Sequence, residues 1–415
     1  MNKQLFLLLL GRILMNISDS FYMIAIVWFV KTTTNSPFLV GLTSTIAVLP
    51  VTLQFLYGPI IDRYSKKKLL FFSGVGQAIL VGIITLLYFN EALWIPLLLV
   101  ILFLALTLAE ISYPTENTLI ERLASNDQLT KVNSVFAFSY QTLDLIADAL
   151  AGIVILFVGV GIVFAANSIV LLGIGFLFLL VLKVPSSEKE QSISLRNFWQ
   201  QYKRDFNEGF YVVKQQKKLL TIIYGIIGMN FLATMGLAVL PIISETSAEY
   251  GFWLAAISLG TMIGTLVSSR LETFALNRVM PIAALLSGLF WVSAFLVKDA
   301  GVLPIVLFGI AWIGVGVNSI YLYTLIQVNL PSDYLGTGFS FTSSLLGSLS
   351  PLGYFAGGIF GEWSSSTAIL LISGIGYFGF AGYFLIHPTL RALTIPVNTK
   401  FEKTVEERIK VNQHL

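Results

Sequence analysis

Residues 66–89 read KKKLLFFSGVGQAILVGIITLLYF, three lysines followed by twenty-one residues without a charge. An α-helix needs about 20 predominantly apolar residues to cross the hydrocarbon core of a bilayer. Lysines at the end of such a run stay on the cytoplasmic side. This stretch therefore reads as a transmembrane helix whose first residue lies inside.

Worked outward, the same reading recurs. Two apolar runs precede it, near 4–30 and 37–57. Three more complete the first half, near 94–119, 132–158 and 161–183. The second half holds six, near 219–242, 250–270, 279–297, 302–326, 336–360 and 364–388. The stretch Leu5–Leu10 after Lys3 resembles a signal-peptide core, but Arg12, Asp19 and the lack of a small-x-small cleavage site keep it as the first span. Composition agrees. Of 415 residues, 56% are hydrophobic and 11% charged, with a mean hydropathy of +0.83. A soluble domain carries about 25% charged residues, so a water-soluble globule is excluded.

Basic residues set the orientation. With both termini in the cytoplasm, 22 Lys and Arg fall inside, among them Arg63, Lys66–Lys68 and eight from Lys183 to Lys218. Only Lys31 and Lys298 fall outside, and Arg12 lies within a span. That asymmetry fixes a multi-pass protein of the plasma membrane with both ends cytoplasmic. The expected fold is an all-α membrane protein of twelve transmembrane helices in two six-helix bundles. The N-terminal bundle covers 1–183, a cytoplasmic linker 184–218, the C-terminal bundle 219–390 and a cytoplasmic tail 391–415. In the linker, Leu195, Phe198, Trp199, Tyr202, Phe206 and Phe210 recur at helical spacing behind Ser194. They describe an amphipathic helix lying along the lipid interface, with a regulatory or partner-binding helix as the other reading.

The halves repeat. An ungapped shift of 206 positions sets Thr118-Leu119-Ile120 on Thr324-Leu325-Ile326, Asp127 on Asp333, Ser134 on Ser340 and Gly152 on Gly358. Parallel repeats of this kind suit carriers that rock about a midplane site.

Several chemistries are excluded. Cys is absent, and His387 and His414 are the only histidines. No metal site, catalytic triad or cofactor is expected, and the chain does not read as an enzyme. A net charge of +3 argues against a nucleic-acid partner. No Gly-Lys-Ser/Thr phosphate loop occurs, which leaves ion gradients as the energy source. Gly374-Ile-Gly376-Tyr-Phe-Gly379 has dinucleotide-fingerprint spacing but lies inside the twelfth span, without a preceding strand.

Charges inside spans cost about 2.5–3.5 kcal/mol each on insertion scales and commonly face a cavity or a partner. In span one, Arg12, Asn16 and Asp19 share a face, and in span five so do Gln141, Asp144 and Asp148. Span four carries Glu110, Tyr113 and Asn117 on one face, with Glu116 beside them and Pro114 between. Spans seven to twelve have no comparable charge. A carboxyl removed from water beside a second acid holds a proton more tightly than one in solution, and Asp144 with Asp148, one turn apart, form the pair expected to share one. An acidic cavity favours a cationic cargo, with Trp253, Trp291, Trp312, Tyr321 and Tyr323 offering cation–π surfaces. Structural readings stand beside these: Arg12 as an ion-pair partner of Asp19 or of a span-five acid, Glu116 solvated at a helix end, and the aromatics as interface anchors.

Four loops carry a family resemblance. Gly58-Pro-Ile-Ile-Asp62-Arg63-Tyr-Ser65-Lys66-Lys67-Lys68 is similar to a G-x-x-x-D-R-x-G-R-K signature, with Ser65 in place of Gly and Lys66 in place of Arg. Glu208-Gly209-Phe210 followed by Lys217, Asp127-Gln-Leu129-Thr-Lys-Val-Asn133-Ser134 and Leu335-Gly336-Thr-Gly-Phe339-Ser340 match linker and loop patterns. The chain resembles the major facilitator superfamily of transporters, and more closely its macrolide-efflux-like, drug:proton antiporter branch. The resemblance implies alternating access and a gating role for Gly58, Asp62, Arg63, Lys66 and Lys67. It departs in two places. The Arg usual in span four would fall near Ala105, where the helix instead carries Glu110 and Glu116. In span five, Ala147-Asp148 replace Gly-Pro, whereas span eleven keeps Pro351 and Gly353.

The function expected is export of small amphipathic compounds, cationic or zwitterionic, by proton antiport. The partners are a small-molecule substrate, protons and membrane lipid, and the carrier is read as a monomer. The alternatives are a dedicated exporter of one physiological metabolite (a siderophore, peptide or lipid-like molecule) and a non-transporting membrane sensor.

Overall fold

A computed structural model describes residues 3–53, 57, 64–123, 129–183, 203–204, 207, 210–330 and 335–401. Within these, the backbone alone is described at 117–118, 121–122, 129–131, 133–135, 137–142, 144–145, 335–337 and 339–340. Helices are α1 (Lys3–Thr34), α2 (Pro37–Thr52), α3 (Lys66–Phe89), α4 (Ile95–Leu123), α5 (Leu129–Leu180), α6 (Lys217–Ile243) and α7 (Ser247–Leu271). They continue with α8 (Leu276–Leu296), α9 (Leu303–Asn329), α10 (Leu335–Gly347), α11 (Ser350–Trp363), α12 (Ser366–Ile386) and α13 (Pro388–Arg391). Among the described residues the one β-type pairing is an isolated bridge between Ala275 and Pro396.

Local chemistry sets the boundaries. Asn35, at φ +48°, turns the chain after α1, and Ser36 Oγ caps α2 by accepting from Leu39 N at 3.3 Å. Pro37 then occupies the first turn, where its missing N–H costs nothing. Helix α5 runs through 52 residues with one interruption, at Gly159 (φ 80°, ψ 164°), a conformation that L side chains rarely adopt. Divided there, α5 holds the two segments expected as spans five and six. The expected eleventh span is broken into α10 and α11. Pro351 in the first turn of α11 offers no N–H to the preceding turn, so the ladder from α10 cannot pass through it.

Nine of the described helices (α1, α3 to α9 and α12) are long and apolar enough to cross a membrane. Helices α2, α10 and α11 are shorter, at 16, 13 and 14 residues. The backbone falls into two compact units, Met1–Leu195 with Val239–Ala255, and Arg196–Ala238 with Ala256–Leu415. The linker helix expected from Ser194 onward lies largely outside the described residues, while residues 210–215 are helical.

Lipid tails are as apolar as leucine, so helices in a membrane associate through close packing and polar contacts, not hydrophobic exclusion. The first unit shows both. Gly74 of α3 lies against Gly175 of α5. Ser73 Oγ donates to Leu108 O of α4 at 2.6 Å and lies 2.7 Å from Ser112 Oγ, and Ser168 Oγ of α5 donates to Ala78 O at 2.8 Å. Such bonds average about 0.6 kcal/mol each in membrane proteins. In the second unit, a Cβ on Gly264 of α7 would collide with the Ile313 carbonyl of α9, and one on Gly314 with the Ala283 carbonyl of α8. Large apolar side chains, including Leu86, Phe157, Ile169, Leu266 and Ile386, stand exposed on the outside. That is the inverse of a soluble protein's surface and the face a bilayer covers.

The start of the tail is folded onto the second unit. Leu276 N and Asn277 N donate to Ile395 O and Leu393 O, and Phe401 N donates to Asn329 Oδ1 at 2.7 Å. Residues 402–415 lie outside the described residues.

Candidate functional site

Helix α1 places Arg12, Asn16, Asp19 and Tyr22 at steps of four, three and three residues, which stacks them on one face. Helix α4 presents Glu110, Tyr113 and Glu116 at steps of three. Where the two faces meet, Arg12 Nη1 lies 3.1 Å from Glu116 Oε2, and both side chains are almost sealed from solvent. The guanidinium carbon also sits 4.6 Å from the centroid of the Tyr113 ring. Arg12 is thus held by an anion and an aromatic face together. Sequence alone left its partner open between Asp19 and a span-five acid; the structure assigns it Glu116. Glu116 itself is 2% exposed, not solvated at a helix end.

Around this pair the polar groups are less completely satisfied. Asp19 Oδ1, Asn16 Nδ2, Tyr22 Oη and Glu116 Oε1 are out of contact with solvent and have no hydrogen-bond partner among the described residues. The charges acting on Asp19 are those of Arg12, which attracts it, and of Glu110 and Glu116, which repel it. Among the described residues, Arg12 thus pairs with Glu116 and attracts Asp19 and Glu110 at longer range. Unpaired polar atoms in a dry interior are costly, so this cluster is a place where a proton or a ligand group can be taken up with gain. Tyr22 was not singled out from the sequence; it is the next step along the face already marked by Arg12, Asn16 and Asp19.

A second polar contact, also missed, joins α3 to the same helix. Gln77 is fully buried and donates to Ser73 Oγ at 3.1 Å, while Ser73 reaches Ser112 of α4. The signal was a Ser–Gln pair four residues apart inside a span, which carries no charge to draw attention.

The span-five acids are only partly described. The side chains of Asn117, Gln141 and Asp144 lie outside the described residues. Asp148 is half-buried on α5, one turn before Gly152. Gly152 and Gly251 of α7 pass so closely that a Cβ on either would strike the other's backbone, and Ser247 Oγ donates to Gly152 O at 2.9 Å. Of the loop after span two, Gly58, Asp62 and Arg63 lie outside the described residues. Lys66 is buried at the first residue of α3, and Lys67 is half-buried.

The five aromatics are scattered. Trp291 is wholly buried, its indole donating to Leu370 O at 2.8 Å, with rings of Phe295, Phe308, Trp312 and Tyr377 around it at centroid distances of 4.7 to 6.1 Å. Tyr321 is buried and donates to Leu271 O at 2.6 Å. Trp253 is buried, with its indole 3.3 Å from Glu249 Oε1. Tyr323 differs, being half exposed on the wall of a cavity of about 220 Å³ formed by α6, α9 and α10. Asn230, Asn318, Ser319 and Ser343 share that wall. Asn318 Nδ2 donates to Met280 O at 3.4 Å, and its Oδ1 has no partner among the described residues. These uncharged residues were overlooked because no charge marked them, although Asn230 and the Asn318-Ser319 pair interrupt otherwise apolar runs.

Three comparisons place the chain among known proteins. An uncharacterized MFS-type transporter YfiS of Bacillus subtilis (strain 168) is 25% identical over 388 residues, covering 90% of each chain. Macrolide efflux protein A of Streptococcus pyogenes is 22% identical over 379 residues, covering 88% of this chain and 91% of that one. Among solved structures, a D-xylose-proton symporter matches with a TM-score of 0.67 at 12% identity, over 95% of this chain and all of that one. That likeness speaks for the fold, which is that of a multi-pass membrane transporter. The model of the family described as Major Facilitator Superfamily matches residues 8–353, which is most of the length, and the chain belongs to that superfamily.

Proposed function

We propose that this transporter exports small amphipathic compounds, cationic or zwitterionic, in exchange for protons. One observation carries the reading: inside the first unit Arg12 is paired with Glu116 at 3.1 Å, while Asp19, on the same face of α1, holds a buried carboxyl oxygen with no hydrogen-bond partner among the described residues. Carboxyl groups held within apolar helices beside too few cations are suited to gaining and losing a proton as the carrier turns over. Asp19 is the proton carrier in this scheme. Its Oδ1 is unpartnered among the described residues, whereas Glu116 is held by Arg12. When cargo bearing a positive charge enters, it competes with the proton for the same carboxyl, and that competition couples the two fluxes. Asp144 and Asp148 are proposed as a second proton-sharing pair, and Gly58, Asp62, Arg63, Lys66 and Lys67 as the gate.

Direction and cargo draw support from the relative named as a macrolide efflux protein, and proton use from the neighbour titled a proton symporter. The topology proposed is twelve passes with both termini cytoplasmic, counting α5 twice at Gly159 and α10 with α11 as one. Function as a monomer belongs to the same reading.

The neutral wall of Asn230, Asn318, Ser319, Ser343 and Tyr323 favours a second reading, export of one physiological metabolite, because directional hydrogen bonds select among cargoes. Proteoliposomes with an imposed pH gradient test both. Under the main reading, many unrelated amphipathic cations move and an uncoupler stops them. Under the second, one metabolite moves and the cations do not. No flux of solute or proton in any arm ends both.

A further inference from the structure

The second unit carries a groove of its own. It has a volume of about 470 Å³ and is formed by the end of α7, the first two-thirds of α8 and the middle of α9. Its walls are apolar, with Leu271, Phe274, Ile282, Leu286 and Phe290 along them, and the exception is Arg278. Gly314 brings α9 directly against the Ala283 carbonyl of α8, which closes the floor. Phe274, Ile282 and Leu286 are exposed, so the groove opens on the outer face.

Length and charge together identify an occupant. From Arg278 to Phe290 the groove follows α8 for twelve residues, about 18 Å at 1.5 Å per residue. A bilayer's hydrocarbon core is about 30 Å thick, so the groove is as deep as one leaflet. Arg278 stands at its end, in the first turn of α8, separated from Arg270 in the last turn of α7 by the short turn Glu272–Ala275; it is exposed and without an ion-pair partner among the described residues. A slot one leaflet deep, apolar along its length and cationic at its rim, matches a phospholipid in shape and charge. Phosphate alone would not use the apolar walls, and a neutral lipid would not use the guanidinium.

We infer that this groove is a binding site for an anionic phospholipid, with an acyl chain along α8 and the head-group phosphate on Arg278. The site stands on the membrane-spanning reading alone, whether or not protons drive transport.

The test is phospholipid retention by the full-length protein, measured by native mass spectrometry after delipidation and addition of phosphatidylglycerol or phosphatidylcholine. A basic side chain at a membrane surface favours anionic lipid by about fivefold, and wild-type protein is expected to retain phosphatidylglycerol over phosphatidylcholine by that factor. Arg278→Gln should erase the preference while leaving chain binding, and Leu286→Trp should lower retention of both lipids by filling the slot. Equal retention of the two lipids by wild-type protein, which needs no variant to fold, overturns the inference. So does an unchanged preference in Arg278→Gln, or a wild-type dimer that Leu286→Trp splits, which would make the groove a contact between copies.

Discussion

The interiors of the two units solve the same packing problem with different chemistry. In the first, α1 and α4 meet through an ion pair, two further acids and a tyrosine hydroxyl, several of whose atoms are left unmatched. In the second, α8, α9 and α12 meet through the Trp291 stack, with the Trp291 indole satisfied by the Leu370 carbonyl and the Trp312 indole without a hydrogen-bond partner among the described residues. A separate cavity there sets the amides and hydroxyls of Asn230, Asn318, Ser319 and Ser343 among apolar side chains. A close-packed, uncharged aromatic core gives rigidity. An unsaturated charged one gives sites whose occupancy can change. The difference is why energy coupling is proposed for the first unit and neutral recognition for the second.

The comparison can be broken most decisively at Asp19. Asp19→Asn keeps the size of the side chain and removes its charge, so proton-driven flux in proteoliposomes should fall to the level of protein-free vesicles, while exchange of labelled cargo without a gradient persists. Full gradient-driven flux in this variant would remove Asp19 from the mechanism, and Asp144→Asn and Asp148→Asn would then become the informative pair. Next in size is Arg12→Gln, which leaves Glu116 buried without its cation. Unfolding in detergent should show a loss of about 3–5 kcal/mol, most of it recovered in the Arg12→Met, Glu116→Gln double variant. Recovery of stability without recovery of transport would show that the pair serves both roles.

Smaller effects sharpen the other side. Trp291→Phe removes one hydrogen bond from a packed stack and should cost about 1 kcal/mol in the same unfolding measurement, with the coupling ratio of protons to cargo unchanged. Asn318→Ala, at the cavity wall, should leave stability within about 1 kcal/mol of wild type. It should weaken apparent cargo affinity in an equilibrium binding assay by about fivefold, the value of one neutral hydrogen bond. A change in coupling from either substitution would blur the division between the units.

How far the sequence could be read follows from what hydropathy records. Leu69–Phe89 and its counterparts announced membrane helices, because length and apolarity are local properties, and α3 begins beside its lysines as the charge pattern requires. Arg12, Asn16 and Asp19 announced one face of α1, since helical periodicity fixes which residues stack. The same periodicity could not say that this face meets Glu116 of α4. Nor could it separate Trp291, enclosed by four other rings, from Tyr323 on a cavity wall, because both sit in equally apolar runs. In a soluble helix, polarity distinguishes the outward face from the inward one. In a membrane helix, lipid and protein interior are alike apolar, and that signal is lost.

Sequence by itself therefore determined the class of molecule, the run of helices and the concentration of charge in the first half, all of which depend on residues close together in the chain. Tertiary structure alone decided which charges meet, which aromatics are enclosed, and where α7, α8 and α9 part to leave a leaflet-deep groove. Those outcomes depend on close approach between helices at glycines such as Gly314 and on partners distant in sequence, and no local pattern encodes either.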